Sequence, residues 1–190
     1  MKVTRQAFWY LRHGQTDWNA QNLAQGRTDI PLNAVGLAQA DAAAKLLYHR
    51  GIRTIVASPL IRAKATAEAA AAVIGQPIQF DPELQEVSFG DHEAKPMLAD
   101  WFDDWVAEKY TPAGGESFAD LRDRTVAAVN RALTLESPVL IVAHGAIFRA
   151  LRSAMGLAPG VRLANGTPFF CEPNTRDDSW SLIPVTDTVP

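Results

Sequence analysis

Short apolar runs recur along the chain and are bounded by turn-forming residues. Most are rich in β-branched or aromatic side chains, a pattern that predicts buried β-strands. These runs span residues 7–11, 54–58, 77–80 and 138–143. Two later runs, 168–172 and 179–185, flank a polar turn and predict a hairpin, so at least one strand is expected to run antiparallel.

Segments with helical periodicity lie between and after these runs. Asn33 is predicted to cap the first helix, and Gly51 is expected to follow its end. Ser58 followed by Pro59 predicts the start of the second helix, with a hydroxyl cap and a proline in the first turn. The expected helices cover 34–50, 59–74, 97–110, 115–135 and 146–155.

This alternation of strands and helices predicts an α/β fold. We expect a three-layer α/β/α sandwich with a mostly parallel central sheet and one antiparallel edge strand. Residues 1–190 are expected to form a single domain. Prolines and glycines break up residues 81–115, which we interpret as a partly irregular cap or insert over the site.

Composition and charge indicate which kinds of partner the chain can bind. With 47% hydrophobic residues among 190, the chain can bury one sizeable core. A formal net charge of −3 leaves no basic surface, so we expect no nucleic-acid partner. No apolar run approaches the length of a membrane span or a signal peptide, and Cys171 is the only cysteine. A cytoplasmic protein without a membrane partner is therefore expected; nothing in the sequence indicates an oligomeric state.

Three of the predicted parallel strands end in residues that suit an anion. Arg12 and His13 follow the first strand, His144 and Gly145 follow the fourth, and Arg62 lies in the helix after the second. Because the carboxyl ends of parallel strands share one edge, we expect these residues to converge there. Guanidinium and imidazole groups beside helix amino ends favour a tetrahedral phosphate dianion.

Taken singly, each of these residues also fits a structural role. A histidine at a strand end is often a buried hydrogen-bonding residue, and an arginine on a helix is often solvated. The other two histidines, His49 near a helix end and His92 in a loop, are expected to be structural.

Four motifs carry a family resemblance. LRHGQT at 11–16, SPLIRAKATAE at 58–68, ELQEVSFG at 83–90 and VAHG at 142–145 occur in the order found in the histidine phosphatase superfamily. The chain resembles the phosphoglycerate mutase-like branch of that superfamily over nearly its whole length. By this resemblance, Asn19, Gln25 and Gly26 are expected to contact phosphate and substrate. The strand order independently predicts that Gly145 contributes the amino end of its helix to the same site.

The resemblance also implies a mechanism. His13 would attack phosphorus and form a phosphohistidine, and Glu86 would act as general acid and then general base. Arg12, Arg62, His144 and Asn19 would hold the phosphoryl oxygens. No metal or cofactor is expected, since the sequence has none of the usual zinc or nucleotide motifs.

The expected activity is that of a phosphatase acting on a small phosphorylated substrate, and two alternatives stay open. One is mutase-type phosphoryl transfer; the other is a non-catalytic protein that binds phosphorylated ligands. The segment 112–117 resembles the phosphatase-type members, whereas His92 and Ala94 replace the tryptophan and second glycine of a common family motif, which changes the pocket wall. The aromatic residues of 101–110 are interpreted either as part of a lid or as a small core under a loop.

Overall fold

The computed structural model describes residues 1–186, with six strands in one sheet. The strands are β1 (Phe8–Arg12), β2 (Thr54–Ala57), β3 (Ile78–Phe80), β4 (Val139–Ala143), β5 (Pro168–Pro173) and β6 (Trp180–Pro184). The α-helices are α1 (Asp17–Ala20), α2 (Ala34–Leu47), α3 (Ile61–Ile74), α4 (Ala99–Val106), α5 (Phe118–Ala132) and α6 (Gly145–Ala154). Short 3₁₀ turns form at Pro82–Leu84 and Gly90–His92. Among residues 1–186, no helix has the length and apolar character needed to cross a membrane.

The sheet order is β3-β2-β4-β1-β5-β6, and its first four strands are parallel. Arg12 at the end of β1 is in register with Ala143 at the end of β4, and Ala57 of β2 is in register with Val142. The predicted hairpin is β5 and β6, in which β5 runs antiparallel to both β1 and β6. The carboxyl ends of β1, β4 and β2 are therefore neighbours on one edge.

Each face of the sheet packs against helices because side chains alternate along the strands. On β1, Phe8 and Tyr10 belong to the core shared with α5 and α6, whereas Trp9 and Leu11 face the core shared with α2 and α3. Strand β4 alternates in the same way and is completely buried. Two apolar layers on opposite faces produce the predicted α/β/α arrangement.

The predicted start of α3 at Ser58 and Pro59 is wrong. The helix begins at Ile61, and its N-cap residue Leu60 has no side-chain capping bond. The Ser58 hydroxyl instead forms a 2.7 Å hydrogen bond with Nε2 of His144. A contact between two strand ends, which local sequence cannot indicate, therefore involves the hydroxyl that was expected to cap a helix.

The other predicted elements are present with shifted ends. Asn33 caps α2 as predicted, by accepting from the Gly36 amide at 2.9 Å, but this helix ends at Leu47. The expected helices did not include α1, which forms between β1 and α2. Thr16 caps this single turn through a reciprocal pair of hydrogen bonds with Asn19.

Candidate active site

A cavity of about 350 Å³ opens at the carboxyl ends of the parallel strands. Eight of the nine predicted site residues line it, and the ninth, His144, lies next to His13 with 5.2 Å between their ring centroids. The eight are Arg12, His13, Asn19, Gln25, Gly26, Arg62, Glu86 and Gly145. The structure thus brings together residues 12–26, residues 144 and 145, Arg62, and Glu86 from the irregular segment 81–115.

His13 is held in one orientation by the backbone that follows it. Its Nδ1 lies 2.7 Å from the Gly14 carbonyl oxygen, which can only accept, so Nδ1 carries the proton and Nε2 holds the free lone pair. Gly14 approaches α2 so closely that a Cβ there would lie 2.2 Å from the Gly36 carbonyl oxygen. Burial, then the charges of Arg62 and Arg12, lower the pKa of His13 well below its usual value.

Arg62 is completely buried and is oriented by the loop after α1. Its Nη2 donates to the Gly26 carbonyl at 2.8 Å, and its Nη1 donates to the Thr28 carbonyl at 3.0 Å. Burial lowers the pKa of Arg62, whereas the charge of Glu86 opposes that shift. The guanidinium is thus fixed at the cavity wall before any ligand arrives.

Arg12 lies against the start of α6. A Cβ on Gly145 would come within 3.3 Å of the Arg12 guanidinium carbon, so glycine permits this close approach. Nη1 of Arg12 donates to the Leu163 carbonyl. Burial lowers the pKa of Arg12 to about 10, and Arg12 therefore stays a cation at neutral pH.

His144 joins two strand ends and is completely buried. Its Nε2 bonds with Ser58, its carbonyl accepts from the Tyr10 hydroxyl at 2.7 Å, and its Nδ1 has no partner among the described residues. Burial, then the charge of Arg62, lower the pKa of His144 well below its usual value.

Glu86 comes from the irregular segment but its carboxylate is fixed. Its Oε2 accepts from the Ala146 amide in the first turn of α6 at 3.1 Å, and its Oε1 accepts from the Val87 amide at 3.1 Å. The backbone carbonyl of Glu86 accepts from Arg124 at 3.2 Å, and Arg124 is in turn paired with Glu116 at 2.8 Å. The first turn of α6 and the Val87 amide hold this carboxylate at the cavity, and Arg124 fixes the backbone that carries it, although Glu86 lies in no regular element.

Asn19 has its amide oxygen already occupied. Oδ1 accepts from the Thr16 amide at 3.1 Å and from Nδ2 of Asn165 at 3.2 Å. Asn165 also donates to the His13 carbonyl at 2.9 Å. These bonds leave the Asn19 Nδ2 group as a donor for a ligand in the cavity.

Unsatisfied polar atoms concentrate at this cavity. Among residues 1–186, six buried side-chain atoms have no hydrogen-bond partner, and four of them belong to predicted site residues. The four are Arg12 Nε, Gln25 Oε1, Arg62 Nε and His144 Nδ1. Because buried polar groups are normally paired, this concentration points to a polar ligand that belongs between them.

Glu93 organises the loop that carries Gln25 and Gly26. Its carboxylate accepts from the amides of Arg27 at 3.1 Å and Thr28 at 3.2 Å, and from the Phe89 amide at 3.2 Å. Gly26 has φ +54°, and a Cβ there would lie 2.0 Å from Glu93 Oε1. The carbonyls that hold Arg62 are therefore placed by a residue whose importance sequence reasoning missed.

The aromatic residues of α4 were interpreted either as part of a lid or as a small core, and the structure shows both kinds of position. Trp105 is completely buried, with ring centroids 5.1 Å from Phe118 and 5.5 Å from Phe89, so it belongs to the core. Phe102 packs against Trp105 and also lines the cavity. His92, expected to be structural, stacks on Trp101 with centroids 4.3 Å apart.

Two further arginines line the cavity and were not predicted as site residues. Arg149 lies one turn into α6, and Arg162 lies in the α6–β5 loop, residues 155–167. The position of Arg149 four residues after Gly145 on a helix was a usable signal, because both then share one face. The irregular loop offered no such signal for Arg162. Within residues 1–186, no group of three or more His, Cys, Asp or Glu side chains is placed to hold a metal ion.

Comparison with known proteins shows which family the chain resembles. A family model described as the histidine phosphatase superfamily, branch 1, matches residues 8–173. The chain is 37% identical over 206 residues to glucosyl-3-phosphoglycerate phosphatase of Mycolicibacterium vanbaalenii, with 90% of each protein covered. It is also 37% identical over 160 residues to the protein named probable phosphoglycerate mutase GpmB of Yersinia enterocolitica, with 78% of this chain and 74% of that protein covered.

Solved structures extend the likeness to three dimensions. A mycobacterial glucosyl-3-phosphoglycerate phosphatase in complex with VO3 superposes with a TM-score of 0.82 at 29% identity. The superposition covers 93% of this chain and 96% of that one. The predicted fold class is confirmed by this match and by the strand order of the sheet.

Proposed function

The chain belongs to the histidine phosphatase superfamily and is a phosphomonoester hydrolase in type; we propose that it works through a phosphohistidine formed on His13. The observation that carries this proposal is the bond from His13 Nδ1 to the Gly14 carbonyl beside two buried arginines. It leaves an unprotonated Nε2 next to cations that attract a phosphate ester.

In the first step, Nε2 of His13 attacks phosphorus in line with the ester oxygen. The nitrogen–phosphorus bond forms as the phosphorus–oxygen bond breaks, and Glu86 gives its proton to the leaving oxygen. Arg12, Arg62 and the Asn19 amide donate to the equatorial oxygens, where they stabilise the charge of the transition state. His144, whose Nδ1 has no partner among residues 1–186, supports the same oxygens from beside the nucleophile.

In the second step, water attacks the phosphohistidine. Glu86, now ionised, takes a proton from the water, and His13 leaves with the electron pair of the nitrogen–phosphorus bond. Inorganic phosphate is released, and Glu86 is again protonated for the next ester. These steps use only side chains of the chain itself, so we propose that turnover needs no metal ion.

The proposed substrate is a small phosphorylated metabolite. A cavity of about 350 Å³ lies within the size range of small-molecule sites. An apolar wall formed by Leu23, Phe89, Met97, Leu98 and Phe102 lies in the same cavity as the phosphate-binding groups and suits the organic part of such a molecule. The name of the mycobacterial relative, whose substrate is a phosphoglycerate carrying a sugar, supports this substrate class.

The test is turnover of p-nitrophenyl phosphate in the presence of EDTA, together with trapping of the phosphoenzyme from a radiolabelled ester. We expect release of inorganic phosphate and an acid-labile label on the protein, and we expect His13→Ala to lose both. His49→Gln, at an exposed histidine, should retain both. Hydrolysis that survives in His13→Ala would remove the nucleophile from the proposal.

A second assay, with 3-phosphoglycerate as the ester, separates the alternatives. Interconversion of phosphoglycerate isomers without phosphate release would indicate a mutase, whereas binding of phosphate esters without either reaction would indicate a non-catalytic binding protein.

A further inference from the structure

Four arginines line the cavity, and none of them forms a salt bridge within residues 1–186. Five arginines outside the cavity do form salt bridges, among them Arg124 with Glu116 and Arg131 with Asp81. The four cavity arginines are Arg12, Arg62, Arg149 and Arg162. The proposed phosphate site uses only the first two, so two cations in the same cavity have no assigned role.

Arg149 and Arg162 differ from the inner pair in exposure. Arg12 and Arg62 are buried, whereas Arg149 is partly buried and Arg162 is exposed. The Arg149 guanidinium lies 4.9 Å from the centre of the Phe102 ring, and its Nη1 donates to the Pro159 carbonyl at 2.9 Å. It is therefore held in place at the cavity wall, and its other N–H groups have no hydrogen-bond partner among residues 1–186.

The outer pair adjoins the phosphate site through Arg12. That residue contacts Gly145, one turn before Arg149 on α6, and donates to the carbonyl of Leu163, which follows Arg162 in the chain. Burial and the charge of Arg162 lower the pKa of Arg149, while Glu86 and Asp103 oppose the shift. The charges of Arg162 and Arg149 in turn act on Arg12. All of these groups belong to one continuous cluster.

Charge balance indicates what the outer pair accepts. Asp103 also lines the cavity, so Arg149, Arg162 and Asp103 together carry one net positive charge. One carboxylate neutralises that charge, whereas a second phosphate dianion would overcompensate it. The planar fork of a guanidinium also matches a carboxylate in a bidentate arrangement.

We propose that Arg149 and Arg162 form a carboxylate subsite, so that the preferred substrates are phosphate monoesters that carry a carboxylate near the ester. This inference rests on the proposed function in placing the phosphoryl group beside Arg12, Arg62 and His13. The apolar wall then faces the remainder of the molecule, and the outer arginines select among esters that the inner pair binds alike.

The experiment compares 3-phosphoglycerate with glycerol 3-phosphate, which has a hydroxymethyl group in place of the carboxylate. Two quantities are measured: kcat/KM for the active enzyme, and Kd by calorimetry for His13→Ala, which cannot turn either ester over if His13 is the nucleophile. We expect the carboxylated ester to be preferred by about tenfold or more in both, the effect of a charge-assisted hydrogen-bonded pair. Arg149→Met and Arg162→Met should each reduce that ratio toward one.

The ratio cancels any general effect of a substitution on phosphate binding. Arg162 is exposed, so Arg162→Met tests the subsite even if Arg149→Met fails to fold. Arg53→Met removes one positive charge from an exposed position outside the cavity and should leave the ratio unchanged. Equal kcat/KM for the two esters, or a ratio insensitive to both cavity substitutions, would overturn the subsite while leaving phosphatase activity intact. Preferential binding without turnover would overturn the phosphatase mechanism and retain the subsite.

Discussion

The imidazole rings of His13 and His144 lie with their centroids 5.2 Å apart, at the ends of the adjacent strands β1 and β4. Both rings are buried beside Arg62, and burial followed by the charge of Arg62 lowers both pKa values. Two imidazolium ions at this distance would repel each other and the arginines. The free protein therefore holds both histidines neutral, which is the state that a nucleophilic His13 requires.

This arrangement predicts that stability depends on pH. The folded-state pKa values are lowered, so below about pH 6.5 the unfolded chain binds protons that the folded protein does not. The free energy of unfolding should fall as the pH drops through this range, by at most about 1.4 kcal/mol per pH unit for each histidine. The loss should end only below the lowered folded-state pKa values.

Urea unfolding at about pH 7.5 and about pH 5.5 measures the effect. We expect a shallower pH dependence for His144→Asn, and an unchanged one for His49→Gln, whose ring is exposed. A wild-type unfolding free energy that is the same at both pH values would contradict the prediction.

Glu86→Gln should separate substrates by their leaving groups. The amide cannot supply a proton, so kcat/KM for alkyl phosphates should fall about a hundredfold or more, whereas aryl phosphates, whose leaving groups need little protonation, should lose much less. Steady-state kinetics on one ester of each kind checks this. Glu83→Gln, at an exposed carboxylate nearby that pairs with Arg131, is the control. Equal losses on both esters would remove Glu86 from the acid role.

Arg62→Lys should lower kcat/KM by about tenfold or more for every phosphate ester. The guanidinium donates to two carbonyls, of Gly26 and Thr28, and its Nε has no partner in the described part of the chain. A single ammonium group cannot reproduce this set of donors. Arg53→Lys, at an exposed arginine, should behave like the wild type. Retention of full activity by Arg62→Lys would show that charge alone is sufficient at this position.

Glu93→Gln tests the loop that places those carbonyls. The substitution removes the charge that accepts from the Arg27, Thr28 and Phe89 amides, at a cost of about 1–3 kcal/mol in unfolding free energy. Because Arg62 depends on this loop, kcat/KM should fall roughly tenfold, equally for alkyl and aryl esters. Glu68→Gln, on an exposed face of α3, should change neither quantity. A stable variant with full activity would show that the loop holds without Glu93.

The residues at the strand ends could be placed from sequence because their position follows from topology. Arg12, His13 and His144 end parallel strands, and such ends share one edge whatever the rest of the chain does. Glu86 was different. It lies in an irregular segment with no periodicity, so only the family resemblance singled it out, and the bonds that fix it come from distant amides.

The residues that were missed act through contacts between distant segments. Ser58 looked like a helix cap because serine before proline is a common local signal, yet its partner is His144. Asn165 donates to the His13 carbonyl from the α6–β5 loop, and nothing in the neighbouring sequence indicates that contact. Local pattern predicts elements, whereas these roles depend on which elements become neighbours.

The reversed direction of β5 explains how that loop reaches the site at all. Strand β5 begins with Pro168 beside Leu11, near the edge where α6 also begins, so the intervening chain must travel back along the whole helix. Carbonyls of this segment accept hydrogen bonds along its length: Ala158 from Arg152, Pro159 from Arg149 and Leu163 from Arg12. A parallel fifth strand would have begun at the opposite edge and left the cavity without this wall. Because β5 is antiparallel, the α6–β5 loop forms part of the cavity. The sequence of this loop, and with it the substrate preference, can change while the sheet stays the same.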